Sequence, residues 1–95
     1  MIRKNSIKKR LYEIIFFISK KISVYAESSL TELIGIIESE IDNIEPYDNN
    51  DDLTEAQEEK MTWLEETLDY LNEALEYVGD NNFDDAMDCI YQIDI

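Results

Sequence analysis

The chain has 95 residues, with 8 Lys and Arg against 23 Asp and Glu, no histidine and a formal net charge of −15. One domain of below-average size fits that length, and a hydrophobic content of 44% is too high for a fully disordered chain. Lack of histidine removes imidazole-based metal sites and acid–base catalysis, two glycines leave no phosphate-cradling loop, and the single Cys89 excludes an internal disulfide and suits a reducing, cytoplasmic setting.

Charge is divided along the chain. Seven cations (Arg3, Lys4, Lys8, Lys9, Arg10, Lys20, Lys21) share the first 21 residues with one acid, Glu13, so residues 1–21 carry +6 and residues 22–95 carry −21. A field so negative repels nucleic acid and anionic lipid and steers basic proteins toward the acidic part. The expected partner is therefore a basic protein, with no direct nucleic acid and no membrane.

At the N-terminus, Ile7, Leu11, Ile14, Ile15, Ile18, Ile22 and Tyr25 fit one face of a basic helix over about 6–27. Their β-branched and aromatic character would also suit strands, but helix is the expectation, kinked near Ser28-Ser29 where it meets the next. The apolar run Leu11 to Ile18 is too short to cross a bilayer, and Lys20-Lys21 with no small-residue cleavage site argues against a secretory signal. Ser29 and Glu32 then form a capping box ahead of Leu30, Leu33, Ile37, Ile41 and Ile44, in a helix that Pro46 should stop near Glu45.

Residues 46–52 read as an acidic connection. Asp48, Asn50, Asp52 and Glu59 match four positions of a calcium loop, but Leu53 stands where the turn requires glycine, so no metal is expected. From Thr54 to Val78 the spacing of Met61, Leu64, Leu68, Leu71, Leu75 and Val78 predicts a long amphipathic helix, opened by a Thr54–Gln57 capping box and stopped by Gly79. After a turn at 80–82, Phe83, Ala86, Met87 and Ile90 predict a short final helix that folds back as a hairpin. The predicted fold is all-α, a single domain over 1–95. It is a bundle of three to four helices with a basic N-terminal helix (about 6–27) and an acidic helical part (about 29–95), whose long central helix precedes the short C-terminal one.

The long helix carries Glu55, Glu58, Glu59, Glu65, Glu66, Asp69, Glu73 and Glu76. Over about 37 Å, at roughly 1.5 Å per residue, that is one negative charge per about 4.7 Å, against about 3.4 Å along one DNA strand. Such a rod offers carboxylates to a groove built for phosphates, although acidic faces also serve plain solubility. Trp63, Tyr70 and Tyr77 recur every seven residues on a stripe about 130° from the centre of the seam, at roughly 100° per residue. Either another helix covers them, the N-terminal one being the natural candidate, or they form a binding ridge bordered by Glu59, Glu66 and Glu73.

A lone helical cysteine is most simply a small buried hydrophobe, and nothing separates a catalytic carboxylate pair from the solvated crowd, so neither an enzyme nor a cofactor is expected. The basic end admits three roles: neutralising the acidic helices within the same molecule, holding an anionic membrane or nucleic acid, or joining a partner chain through Leu11, Phe16 and Phe17; packing within the fold is the expectation, and peripheral membrane binding by residues 3–22 the third functional reading.

From Glu38 to Ile90, the stretches Ile41-Asp42-Asn43-Ile44-Glu45-Pro46, Glu58-Glu59-Lys60-Met61 and Leu68-Asp69-Tyr70-Leu71 resemble small acidic helical-hairpin proteins of low-GC bacteria and their phages. That group largely lacks assigned functions, so it transfers no functional residue. In size and charge the chain is also similar to phage-encoded anti-defence proteins that imitate DNA. The resulting expectation is an inhibitor that occupies the basic groove of a nucleic-acid-binding defence enzyme, such as a CRISPR effector or restriction nuclease. Glu58, Glu59, Glu65, Glu66, Asp69, Glu73 and Glu76 would stand in for phosphates, and Trp63, Tyr70 and Tyr77 would anchor the contact. The alternative is a helical adaptor or oligomerisation module, for example a homodimer or an antitoxin-like neutraliser of a basic protein.

Overall fold

A computed structural model of the protein describes residues 4–43 and 55–93, in four helices: α1 (Lys4–Ser19), α2 (Ser23–Asp42), α3 (Glu55–Gly79) and α4 (Phe83–Tyr91). The β-branched N-terminal run is helical because Ile7, Leu11, Ile14 and Ile18, spaced 4, 3 and 4, bury themselves on a single face; packing overrides local strand preference. In α2 the buried positions are Ala26, Leu30, Leu33, Ile34 and Ile37. Each helix packs mainly on two others: α1 on α2, α2 on α3, α3 on α4, and α4 back on α1. The ring encloses one core in a molecule 48 Å long and 19 by 18 Å across.

The break between the first two helices comes earlier than the sequence implies. The expected helix over about 6–27 instead stops at Ser19, and Ser29, read as an N-cap, lies in the middle of α2. Lys21 causes this by adopting φ 58°, so that the Ile22 N–H reaches the Phe17 carbonyl (3.0 Å) and the Lys21 N–H reaches that of Ile18 (2.9 Å). These nested bonds form a Schellman cap, which satisfies carbonyls left open at the helix end and turns the chain back. As a result, Tyr25 is exposed rather than part of the buried face.

The connection between α3 and α4 repeats that geometry. Asn81 adopts φ 62°, Asn82 N–H bonds the Tyr77 carbonyl (2.8 Å), and Asn81 N–H bonds that of Val78 (3.0 Å). Gly79, expected as the stop, is the last helical residue and has no positive φ; the left-handed position falls on Asn81, a residue that tolerates it. Both turns lie at one end of the bundle, since a Cβ at Gly79 would sit 3.8 Å from Glu27 Oε1.

The correspondence extends to the whole hairpin. At an offset of 60 residues, buried Ile7, Leu11, Ile14 and Ile18 match buried Thr67, Leu71, Ala74 and Val78, and Ala26, Leu30 and Leu33 match Ala86, Ile90 and Ile93. The two hairpins thus correspond over residues 7–33 and 67–93, and α1 and α3 lie on opposite corners of the ring. The Thr54 cap, the stop at Glu45–Pro46 and the calcium-like positions Asp48, Asn50 and Asp52 lie outside the described residues, and Glu59 is an exposed residue of α3.

Candidate protein-binding surface

The buried line of α3 is Leu64, Thr67, Leu71, Ala74 and Val78, again spaced 3, 4, 3 and 4. It runs between the two stripes read from the sequence. Met61, Leu68 and Leu75 are half-buried on one flank, and Trp63, Tyr70 and Tyr77 occupy the other. The aromatic flank is turned toward α4: the Cys89 thiol donates to Glu73 Oε2 at 3.7 Å, and Asp85 and Cys89 act electrostatically on Tyr77. At the Glu73 and Tyr77 end of this flank the neighbour is α4, and α1 is diagonal to α3.

Along that flank the rings emerge progressively. Trp63 is only 8% exposed, Tyr70 is half-buried against the core, and Tyr77 is 36% exposed. Only Tyr77 is exposed, so the three rings do not project together as a ridge. The Asp85 carboxylate is the main cause of a raised Tyr77 pKa, with Cys89, burial, Glu73 and Glu76 adding to it. This phenol stays protonated at neutral pH and remains a hydrogen-bond donor.

All seven carboxylates singled out in the sequence, Glu58, Glu59, Glu65, Glu66, Asp69, Glu73 and Glu76, are exposed. They cover the side of α3 turned away from the core, on one rigid element. Seven anions along one helix favour extended side chains by mutual repulsion, and the helical backbone fixes their spacing. Glu73 is the one tied to α4, through Cys89.

Three acids omitted from the sequence-based site, Asp84, Asp85 and Asp88 of α4, are also exposed. With Asp85 acting on Tyr77, they extend the acidic surface across the joint onto a second helix. Their sequence signal was present, since Asp84 and Asp88 are four residues apart and fall outside the apolar periodicity. Which acids of α4 adjoin α3 depends on how the hairpin closes.

Cys89 is buried, and burial is the main cause of its raised pKa, followed by Glu73, Asp85 and Asp88. A thiol held protonated by its surroundings is a poor nucleophile. Among the described residues no group of three or more Asp, Glu or Cys is placed to hold a metal ion, and no helix is long and apolar enough to cross a membrane. On the basic side, Arg10 Nη1 pairs with Glu32 Oε1 at 3.1 Å, and Leu11, expected as a partner contact, is buried in the core. Comparison with protein-family models, with curated proteins and with solved structures finds no match to this chain.

Proposed function

We propose that this protein is a non-enzymatic, cytoplasmic binding module that docks its acidic α3–α4 surface into the basic groove of a nucleic-acid-binding protein. A defence nuclease of the CRISPR or restriction type is the preferred target class. The observation that carries the reading is the row of seven exposed carboxylates on a rigid 25-residue helix, widened by Asp84, Asp85 and Asp88. A surface lined with Lys and Arg binds phosphates largely by charge, so it accepts carboxylates at comparable density without reading a base. Tyr77, at the margin of the α3–α4 joint, is the ring best placed to make contact, with Trp63 and Tyr70 holding the helix in position.

The test is displacement of duplex DNA from such a nuclease, followed at low and at moderate salt. Binding should weaken at least about tenfold as salt rises, because each neutralised charge steepens the dependence. Glu66→Lys with Asp69→Lys, neither of which is tied to α4, should weaken it similarly. Affinity indifferent both to salt and to this double reversal would refute the reading. The adaptor alternative draws on the exposed rings of α1 and predicts a concentration-dependent dimer; a strict monomer in sedimentation velocity removes self-assembly.

A further inference from the structure

Over the matching segments 7–33 and 67–93 the two hairpins share buried positions and turn geometry but differ on their outer surfaces. Where the second hairpin carries Asp69, Asn72, Glu76, Asp80, Asp84 and Asp85, the first carries Lys9, Tyr12, Phe16, Lys20, Val24 and Tyr25. The second hairpin shows that polar residues satisfy every one of these positions, so the fold does not require rings there. Yet Tyr12 is 59% exposed, Phe16 54% and Val24 72%.

The exposed residues form one connected strip. Phe16 meets Phe17 edge-on with centroids 5.8 Å apart, and Phe17 lies 5.6 Å from Tyr25. The Lys8 Nζ lies over the Tyr12 ring and the Lys20 Nζ over the Phe16 ring, each 5.9 Å from the centroid. Aromatic surface is thus edged with ammonium groups along α1 and into its turn, where Lys21 adds another cation.

We propose that this face of the α1–α2 hairpin docks on an anionic lipid surface. Tyr12, Phe16, Val24 and Tyr25 enter the headgroup region, and Lys8, Lys9, Lys20 and Lys21 meet the phosphates and carboxylates. Rings with cationic flanks are the chemistry of interfacial helices. A fluid surface accepts scattered protruding rings without a shaped pocket.

Other occupants fit less well. A second copy docked symmetrically would set the same strip face to face and bring Lys8, Lys9, Lys20 and Lys21 against their own counterparts. Single-stranded nucleic acid stacks its bases on open ring faces, but Lys8 and Lys20 already lie over those of Tyr12 and Phe16. The overall charge of −15 does not forbid the contact. The carboxylates of α3 lie on the diagonal corner of a bundle 19 by 18 Å across, about two screening lengths at physiological salt, where that length is about 8 Å, and of the acids nearer the strip, Glu13, Glu27 and Glu32, the last is paired with Arg10. The proposal uses the face opposite the one assigned above and stands independently of it.

Co-sedimentation with vesicles tests it, comparing phosphatidylserine-containing phosphatidylcholine with phosphatidylcholine alone at about 0.1 M salt. The full chain should sediment with the anionic vesicles only. Tyr12→Ser with Phe16→Ser, and separately Lys8→Glu with Lys20→Glu, should each lower the partition coefficient at least about tenfold, since one Lys near an anionic surface strengthens binding about fivefold. Glu66→Gln with Asp69→Asn on α3 should leave it unchanged. Far-ultraviolet circular dichroism establishes that each variant is folded, and the lysine pair serves if the serine pair is not. No serine-lipid-dependent sedimentation, binding that survives both substitution pairs, or retention of single-stranded DNA in place of vesicles overturns the proposal.

Discussion

Leu11→Ala tests whether the two hairpins form one cooperative unit. Leu11 on α1 and its equivalent Leu71 on α3 are both fully buried. Removing three carbons at about 0.8 kcal/mol each costs about 2.4 kcal/mol in transfer free energy. The cavity left behind brings the expected loss to about 2.7–5 kcal/mol, a large part of the roughly 5–15 kcal/mol that stabilises a domain. At about 4–8 °C per kcal/mol for a chain of this size, the melting temperature should fall by more than about 10 °C. Trp63, the single tryptophan, lies on the other hairpin and is buried, so its fluorescence reports α3 while circular dichroism reports all the helices. Both signals should move together in Leu11→Ala, and Leu71→Ala should match it. If the helical signal shifts while the Trp63 transition stays in place, the hairpins fold separately and the single core is wrong. A loss below about 1 kcal/mol would show that Leu11 is not a core residue.

Two further outcomes follow from local geometry. Gly35 is exposed in the middle of α2, and a Cβ there would meet nothing within 4 Å, so Gly35→Ala should stabilise the protein by about 0.5–1 kcal/mol, measured by urea denaturation; destabilisation would contradict the described α2 surface. Cys89 has a folded pKa raised above its ordinary 9.0, so its stabilising contribution is complete below pH 9.0 and is lost as pH rises through the folded value; Cys89→Ala should flatten the alkaline decline in stability, and an unchanged slope would exclude this cause.

Much of the fold was legible because helical periodicity is a local signal. The 3–4 spacing of α3 and the short apolar repeat of α4 located both helices and the hairpin they form. The start of α2 was misread because Ser29–Glu32 matches a capping box by composition, whereas the operative device is Lys21 in the left-handed region, which a lysine does not advertise. The acidic row was legible as exposed, since nothing else explains eight acids outside the seam of one helix. The fate of the rings was not, because Trp63 and Tyr77 share a stripe but differ in cover, and periodicity does not say which turns of a helix a neighbour covers.

By itself the sequence determined the helical class, the long α3, the C-terminal hairpin and the division of charge, all of which rest on short-range spacing and composition. Only the tertiary structure decided that the basic and acidic helices occupy opposite corners of a closed ring. It also gave residues 7–33 and 67–93 matching buried positions at an offset of 60 residues and set the Tyr77 end of the α3 stripe beside α4. The physical reason is that a helix states which of its faces is apolar but not which neighbour will cover it. That choice belongs to packing between segments far apart in the chain, and it sets basic α1 diagonal to the acidic row of α3.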